Sequence, residues 1–257
     1  TAGDVNGDGY SDIIISAPES SPFYVSTSGT IYILFGHKYD ESFPNLSVDD
    51  IESGVTGVVV YGGQQYDSAG YAVHPARDIN NDGFDDVSLS TVRESPNFAA
   101  VIFGRGSAGV ANVGMSGFSP GVQGFRFSDD GGEYLRLAGP GDVNGDGIDD
   151  VLIGNCVKPY LLRNTPGRVY VIFGKESTTP VQDLFLTSFI SGAQGLIIIG
   201  STETTFFGVV VQRAGDINDD GVADKREVWH DGKSLTGCGN DAHGPYLGRD
   251  GWFYWTK

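Results

Sequence analysis

Residues 4–12 read Asp4-Val-Asn-Gly-Asp-Gly-Tyr-Ser-Asp12, and this stretch decides the fold because its pattern occurs four times in the chain. The other copies are Asp78-Ile-Asn-Asn-Asp-Gly-Phe-Asp-Asp86, Asp142-Val-Asn-Gly-Asp-Gly-Ile-Asp-Asp150 and Asp216-Ile-Asn-Asp-Asp-Gly-Val-Ala-Asp224, with starts 74, 64 and 74 residues apart. Five fixed residues in one window arise by chance with a frequency on the order of 10⁻⁷. Four ungapped copies therefore indicate an internal structural repeat.

Short apolar segments flank the copies in a constant order. The first follows a copy at residues 13–16, 87–90 and 151–154, and the second, which ends in Phe-Gly, lies at 30–36, 99–104 and 168–174. The third lies at 58–61, 124–127 and 196–199, and the fourth precedes the next copy at 71–73, 134–137 and 206–211. Their period of two, with Gly, Pro, Ser and Asn between them, predicts four short strands per unit. Units of four antiparallel strands are typical of β-propeller blades.

The repeat divides the 257-residue chain into four units. We expect a partial blade at 1–63, blades at 64–128 and 129–201, and a divergent blade with a tail at 202–257. Closed propellers have about 4–8 blades. Either the C-terminal strands complete the first unit or the chain is a piece of a larger ring, and we favour the piece. The predicted fold class is all-β, with propeller blades of four antiparallel strands.

The repeated pattern places side-chain oxygens at loop positions 1, 3, 5 and 9 and a backbone carbonyl at position 7. Hard oxygens that converge in a tight loop suit Ca²⁺, which takes 6–8 oxygen ligands. Zinc or copper would require His or Cys, and Mg²⁺ would keep more of its waters. Gly at position 6 permits the positive φ that turns the chain around an ion. We therefore predict about four bound Ca²⁺ ions.

Two other kinds of Asp-rich loop compete with this interpretation. Plain hairpin turns also use Asn-Gly and Asp-Gly, but they do not explain four copies of the full pattern. An EF-hand needs Glu at position 12 and a helix on each side. Position 12 is Ile15, Leu89 and Ile153 in the first three copies. The fourth copy has Glu227 there, which we regard as a candidate extra ligand.

The net charge limits the classes of partner. A formal net charge of −17 argues against nucleic acid, because a phosphate backbone requires clustered Lys and Arg. Of the 33 acidic residues, 12 fall at equivalent positions of the four loops, and four Ca²⁺ ions would change the net charge from −17 to −9. No stretch approaches the roughly 20 apolar residues of a membrane span, so we expect no direct membrane insertion.

Ile13-Ile-Ile-Ser-Ala-Pro18 and Gly167-Arg-Val-Tyr-Val-Ile-Phe-Gly174, with the Asp-rich loops between such strands, resemble the FG-GAP repeats of integrin α-subunit propellers over roughly residues 1–225. The resemblance implies a fragment of a roughly seven-bladed ring, with calcium in a hairpin loop between the first two strands of several blades. The side-chain ligands that it implies are Asp4, Asn6, Asp8, Asp12, Asp78, Asn80, Asp82, Asp86, Asp142, Asn144, Asp146, Asp150, Asp216, Asn218, Asp220 and Asp224. The backbone carbonyls of Tyr10, Phe84, Ile148 and Val222 would complete the sites.

The sequence departs from the family pattern at several places. Arg77 precedes the second loop where the other copies have Gly, and Gly154-Asn-Cys156 replaces Gly-Ala-Pro. Residues 225–230 replace the apolar strand expected after the fourth loop, and the tail at 237–257 matches no part of the family pattern. The fourth unit is therefore the one whose structure the resemblance predicts least well.

Little in the sequence suggests catalysis, and we expect the chain not to be an enzyme. Gly117-Phe-Ser-Pro-Gly121 matches Gly-x-Ser-x-Gly, but a nucleophile elbow needs a strand before the Ser and a helix after it, which Pro120 does not suit. The four histidines stand singly. Cys156 and Cys238 could pair or remain free thiols.

The resemblance implies an extracellular module for adhesion or recognition, with a protein or glycan ligand at the cell surface. Extracellular calcium, near millimolar, would fill even weak sites of this kind. The alternatives are a carbohydrate-binding propeller that stacks sugars on Trp252, Tyr254 and Trp255, a structural repeat of a surface filament, and the non-catalytic part of a secreted hydrolase. Asn45 begins a glycosylation sequon, which matters if the protein is secreted.

Overall fold

The computed structural model describes residues 1–38, 46–52, 56–92, 97–106, 112–129, 134–156, 166–179, 182–201, 207–213, 246–247 and 253–254. Its strands are β1 (Ile13–Ala17), β2 (Thr30–Leu34), β3 (Gly57–Tyr61), β4 (Ala72–Arg77), β5 (Asp86–Ser90), β6 (Asn97–Ile102), β7 (Val113–Gly114), β8 (Gly124–Asp129), β9 (Tyr134–Gly141), β10 (Asp150–Cys156), β11 (Arg168–Ile172), β12 (Leu184–Phe185), β13 (Gly195–Ile199), β14 (Tyr246–Leu247) and β15 (Phe253–Tyr254). One short α-helix, α1 (Val48–Glu52), precedes β3. The first, second and third apolar segments predicted after each of the first three loops all form strands.

The strands form consecutive antiparallel blades. The first blade contains β1, β2 and β3, the second contains β4, β5, β6 and β8, and the third contains β9, β10, β11 and β13. Within each blade, strands that are adjacent in the sheet are also consecutive along the chain, except where the short strand β7 or β12 comes between them in sequence. The prediction of an all-β fold built from propeller blades is confirmed. In the described part of the chain, these blades do not close a ring.

Apolar residues from both faces of the second blade fill two separate cores. On β6, Ala100 and Ile102 pack toward the first blade, whereas Ala99 and Val101 pack toward the third. The alternation follows from the strand period of two, which sends successive side chains to opposite faces. A blade in this position is therefore buried between its neighbours, and its stability depends on both of them.

Two short strands that the sequence did not predict tie each blade to the one before it. β7 pairs in parallel with β3 of the first blade, and β12 pairs in parallel with β8 of the second. The residue before each short strand strengthens the contact: Asn112 Oδ1 accepts the Val59 N–H, and Asp183 Oδ1 accepts the Arg126 N–H, both at 2.9 Å. Two-residue strands are too short to show a period in the sequence, which is why they were missed.

The strand expected at residues 206–211 is not formed by the residues described there. Residues 207–213 contain a turn and a bend, Gly208 has a φ of 85°, and the side chain of Val210 is 72% exposed. In the second blade, the corresponding strand β4 pairs with β5, which follows the Asp-rich loop. The residues after the fourth loop lie outside the described part of the chain, and among the described residues no strand pairs with this segment. No helix in the described residues is long and apolar enough to cross a bilayer.

Candidate metal centres

Three of the four Asp-rich loops lie in the described residues. Loop 2 (78–86) joins β4 to β5, loop 3 (142–150) joins β9 to β10, and loop 1 (4–12) leads directly into β1. Position 12 of each loop lies within the strand that follows, so these loops are not EF-hands. They connect the first two strands of a blade, as the second and third blades demonstrate.

The predicted residues of the fourth loop lie outside the described part of the chain: Asp216, Asn218, Asp220, Val222 and Asp224. So do Glu227, Cys238, Asn45, Trp252 and Trp255. Tyr254 belongs to the short hairpin of β14 and β15, and Cys156 is the last residue of β10.

The side chains at positions 1, 3 and 5 of loop 1 fold back onto the backbone of the loop. The Asp8 N–H donates to Asp4 Oδ1 at 3.0 Å and to Asn6 Oδ1 at 3.1 Å. The Gly9 N–H donates to Asp4 Oδ2 at 2.9 Å, and the Tyr10 N–H donates to Asp8 Oδ1 at 2.9 Å. These bonds hold the side chains of Asp4, Asn6 and Asp8 against the backbone of the loop.

Loop 2 repeats this arrangement, and loop 3 repeats most of it. In loop 3 the Gly145 N–H, at position 4, donates to Asp142 Oδ1, whereas loops 1 and 2 use the N–H of position 5. In loop 2 the corresponding bonds are 2.9 to 3.1 Å long and join Asp78, Asn80, Asp82, Gly83 and Phe84. In loop 3 the Gly147 and Ile148 N–H groups donate to Asp142 and Asp146 at 3.1 and 2.9 Å, and the Asp146 N–H donates to Asn144 Oδ1 at 2.8 Å. The Gly at position 6 has a φ of 88°, 90° and 94° in the three loops, and no atom lies near the place of its Cβ. It is needed for its backbone conformation rather than for space.

The carboxylate at position 9 is buried and bonds to backbone on both of its oxygens. In loop 2, Asp86 Oδ2 accepts the Ile79 N–H at 3.0 Å, and Asp86 Oδ1 accepts the Gly104 N–H at 2.8 Å. Asp12 and Asp150 make the same pair of bonds in loops 1 and 3. Position 9 therefore joins the start of its loop to the Phe-Gly pair that follows the second strand after that loop, which is β2, β6 or β11.

The Phe-Gly glycine makes this junction sterically possible. A Cβ on Gly104 would lie 2.3 Å from the Asp85 carbonyl oxygen, and a Cβ on Gly36 or Gly174 would lie 2.4 or 2.2 Å from the equivalent carbonyl. The close approach of two backbones requires Gly at this position. Sequence reasoning used the Phe-Gly pair to mark the end of a strand but did not connect it with the Asp-rich loop.

Burial raises the pKa of Asp12, Asp86 and Asp150 above the usual range of an aspartate, most strongly at Asp86. The backbone N–H bonds oppose this effect. The carboxylate at position 5 of the same loop raises the pKa further by repulsion, and in loops 1 and 2 the carboxylate at position 1 does so as well. The loops thus bring mutually repelling negative groups together, and a bound cation would relieve that repulsion.

The residues present fit a calcium ion in donor type. They supply carboxylate, amide and carbonyl oxygens and contain no His or Cys, which is the preference of a hard cation. Across the described residues, no three His, Cys, Asp or Glu side chains meet as a ready-made metal cluster. Asp4, Asp8 and Asp12 and their equivalents would hold Ca²⁺ through their remaining lone pairs, and the ion would supply charge neutralisation within the loop.

The Gly-x-Ser-x-Gly segment does not form a nucleophile elbow. Ser119 follows a 3₁₀ turn at Met115–Gly117 and precedes a further turn and β8, whereas the elbow requires a strand before the Ser and a helix after it. The Ser119 N–H donates to Gln123 Oε1 at 2.8 Å, which closes the turn. This segment is a structural turn.

Replacing Asp86 by Asn is expected to destabilise the fold even without metal. The amide can accept only one of the two N–H groups that Asp86 accepts, and loss of a hydrogen bond to a charged group costs about 1.5–3 kcal/mol. The free energy of unfolding, measured with urea in excess chelator, tests this. Asp82→Asn is the matched control, because Asp82 is exposed, and its free energy of unfolding in chelator should change by less than about 0.5 kcal/mol. An unchanged unfolding curve for Asp86→Asn would contradict the structural role.

Two comparisons with known proteins bear on the fold of this chain. The FG-GAP repeat family model matches residues 1–34. Integrin alpha-4 of Xenopus laevis is 28% identical over 186 residues, which cover 69% of this chain and 16% of that protein. The chain therefore spans about one sixth of the length of this relative.

The matched residues 1–34 contain loop 1, β1 and β2, so the FG-GAP repeat model covers the first Asp-rich loop and the two strands that follow it. This chain is similar to integrin α-like FG-GAP proteins, because residues 1–34 match the FG-GAP repeat model and integrin alpha-4 is 28% identical over most of the chain.

Proposed function

We infer that this chain is part of a calcium-binding, extracellular, integrin-like β-propeller that serves adhesion or ligand recognition. Calcium in the Asp-rich loops stiffens the blades, and a different surface contacts the ligand. The similarity to integrin alpha-4 supports a cell-surface location and a protein ligand. The observation that carries the proposal concerns the described residues of the first blade. Their most exposed aromatic side chains lie at the end of the blade opposite to the Asp-rich loop.

The strand directions separate the two ends. β1 begins at loop 1 and ends at Ala17, and β3 ends at Tyr61, which pairs with Thr30 at the start of β2. The connections at 18–29 and 62–71 therefore lie at the end of the first blade away from loop 1. Five-residue strands separate the ends by roughly 17 Å. A ligand at the distant end would leave the metal loops free.

The distant end carries exposed aromatic residues in costly backbone conformations. Phe23 is 74% exposed, Tyr66 is 61% exposed and Tyr24 is fully exposed. Their φ values are 52°, 65° and 62°, and a non-glycine residue in this region costs roughly 1–2 kcal/mol. Strain of this kind persists where the surroundings hold it and is frequent at binding sites. We call Phe23, Tyr24 and Tyr66 the aromatic patch.

Hydrogen bonds hold the two connections of the aromatic patch together. The Tyr66 N–H donates to the Ser26 carbonyl at 2.9 Å, and the Ser68 N–H donates to the Thr27 carbonyl at 3.0 Å. The Phe23 ring packs edge-on against Tyr61, with ring centroids 4.9 Å apart. Aromatic side chains on a rigid base are typical anchors of protein interfaces, where Tyr and Trp are enriched. A protein ligand is therefore the first candidate, and a glycan that stacks on the rings is the second.

A cell-adhesion assay on immobilised chain tests the proposal. We expect cells to attach in calcium, and attachment to fall at least fivefold both in chelator and with the Phe23→Ala/Tyr24→Ala/Tyr66→Ala variant. Loss of these anchors should remove hot-spot contacts, each of which is worth about 2 kcal/mol or more. Mild proteolysis of the cells should abolish attachment to a protein ligand, whereas enzymatic deglycosylation should abolish attachment to a glycan.

The matched control is Val122→Ala. Val122 is 68% exposed but lies at the end of the second blade near the Asp-rich loops, just before β8. Its substitution should leave attachment unchanged. If attachment is unchanged both in chelator and by the triple substitution, the proposed function is refuted.

A further inference from the structure

Asp85, at position 8 of loop 2, bonds to the backbone of loop 1 rather than to its own loop. Its N–H donates to the Asp4 carbonyl at 3.0 Å, and its Oδ2 accepts the Asp4 N–H at 2.8 Å. A single residue of the second blade, 81 positions away, thus holds both peptide groups of Asp4. Asp4 is the position-1 residue of loop 1, whose two carboxylate oxygens organise that loop.

One further hydrogen bond and two glycines that admit side chains of loop 2 reinforce this hold on loop 1. The Arg105 N–H donates to the Val5 carbonyl at 2.9 Å. A Cβ on Gly3 would lie 2.3 Å from Asp85 Oδ2, and a Cβ on Gly7 would lie 2.5 Å from the Phe84 ring. Both glycines therefore leave room for side chains of loop 2, so loop 1 is shaped to receive the next loop.

The boundary between loops 2 and 3 is built differently. The Asp149 N–H donates to the Asp78 carbonyl over a longer distance, 3.4 Å, and the Lys175 N–H donates to the Ile79 carbonyl at 3.0 Å. The place of Gly3 is taken by Arg77, whose φ is 62°. Burial raises the pKa of Asp149, and the charge of Arg77 is the first influence that opposes it. Among the described residues, no backbone N–H contributes to the pKa of Asp149, so its carboxylate does not have the role that Asp85 has at the first boundary.

We propose that Asp85 is a positioning residue for the metal site of loop 1, so that this site is completed by the neighbouring blade. The inference rests on the calcium binding proposed above. Asp85 does not need to touch the ion, because it fixes the backbone from which the Asp4 carboxylate projects. Residues that orient metal ligands in this way typically change metal affinity by about 10–100-fold when substituted. Calcium affinity at loop 1 consequently depends on the docking of the second blade.

Loop 1 offers a site-specific probe, because position 7 is Tyr10 there but Phe84 and Ile148 in loops 2 and 3. Terbium bound at loop 1 should emit on excitation of Tyr10, and Tyr10→Phe should remove that emission. In the full chain, we expect Asp85→Ala to weaken terbium binding at loop 1 at least tenfold. Asp149→Ala, which removes an equal charge at the same position of loop 3, should change it less than about twofold.

A measurement without metal keeps the proposal testable if the variant is less stable. In chelator, amide exchange of Asp4 should be faster in Asp85→Ala and unchanged in Asp149→Ala. Wild-type terbium affinity and wild-type Asp4 exchange in Asp85→Ala would overturn the positioning role, and equal weakening by Asp149→Ala would do the same. If the wild-type chain gives no Tyr10-sensitised emission and no response to calcium, the proposed calcium binding fails, and this inference fails with it.

Discussion

Removal of calcium is expected to lower the melting temperature of this protein by about 5–11 °C for each loop that the ion had occupied. A ligand at 100 times its Kd stabilises the folded state by about 2.7 kcal/mol. Each kcal/mol corresponds to about 2–4 °C in a chain of this size. The physical cause is the mutual repulsion of the loop carboxylates around Asp12, Asp86 and Asp150, which bound Ca²⁺ would neutralise in the folded state. Thermal denaturation in millimolar calcium and in chelator measures the difference.

The position-5 carboxylates provide the control for this experiment. The Asp8→Asn/Asp82→Asn/Asp146→Asn variant keeps the size of each side chain but removes three charges that face the proposed ions. We expect it to lose most of the calcium-dependent shift while its melting temperature in chelator stays near that of the wild type. Any shift that remains would belong to the fourth loop. A wild-type melting temperature that is the same in calcium and in chelator would exclude the metal interpretation of these loops.

Replacing Phe127 by Ala is expected to lower the free energy of unfolding by about 3–5 kcal/mol, with or without calcium. Phe127 is fully buried on β8, in the core between the second and third blades, and its ring meets Phe125 edge-on at 4.9 Å. The substitution leaves a cavity, because β strands on both sides limit collapse. Total stabilities are typically about 5–15 kcal/mol, so the loss should be plain in a urea denaturation curve.

Phe185→Ala is the matched control for that substitution. Phe185 lies on β12, pairs with Ser128 beside Phe127, and is 55% exposed. Its loss should cost less than about 1 kcal/mol, because little buried surface disappears. Equal destabilisation by the two substitutions would mean that the core does not lie between the blades as described.

The strand pattern was largely readable from sequence. Some of the apolar segments, such as Val87-Ser-Leu-Ser90, alternate with polar residues, and others, such as Ile13-Ile-Ile15, are short apolar runs. Both patterns, bounded by turn residues, indicate a strand without knowledge of its neighbours. The prediction was wrong at residues 206–211, where the segment has the composition of a strand but no paired strand beside it among the described residues. It also missed β7 and β12, whose existence depends on the edge of another blade rather than on their own sequence.

The Asp-rich loops were likewise predictable from sequence in part. Spacing alone placed Asp, Asn and Gly at the positions where the structure forms the repeated turn, because bonds such as Asp8 to Asp4 span only a few residues. The ligand roles stay predictions. Spacing could not indicate that Asp86 also accepts a hydrogen bond from Gly104, since that contact depends on how β6 returns to the loop.

By itself, the sequence determined the repeat, the strands of each blade, the donor type of the loops and the positive-φ glycines. All of these depend on local geometry and on the spacing of residue types, and both can be read directly along the sequence. Only the tertiary structure decided which blade covers which, that Phe-Gly closes onto the loop, and that Asp85 holds Asp4 across 81 residues. The physical reason is that such contacts depend on the packing of separate sheets, for which no local pattern of residues exists. The four Asp-rich loops are thus alike in sequence, but loops 1 and 2 differ in what the neighbouring blade adds to them.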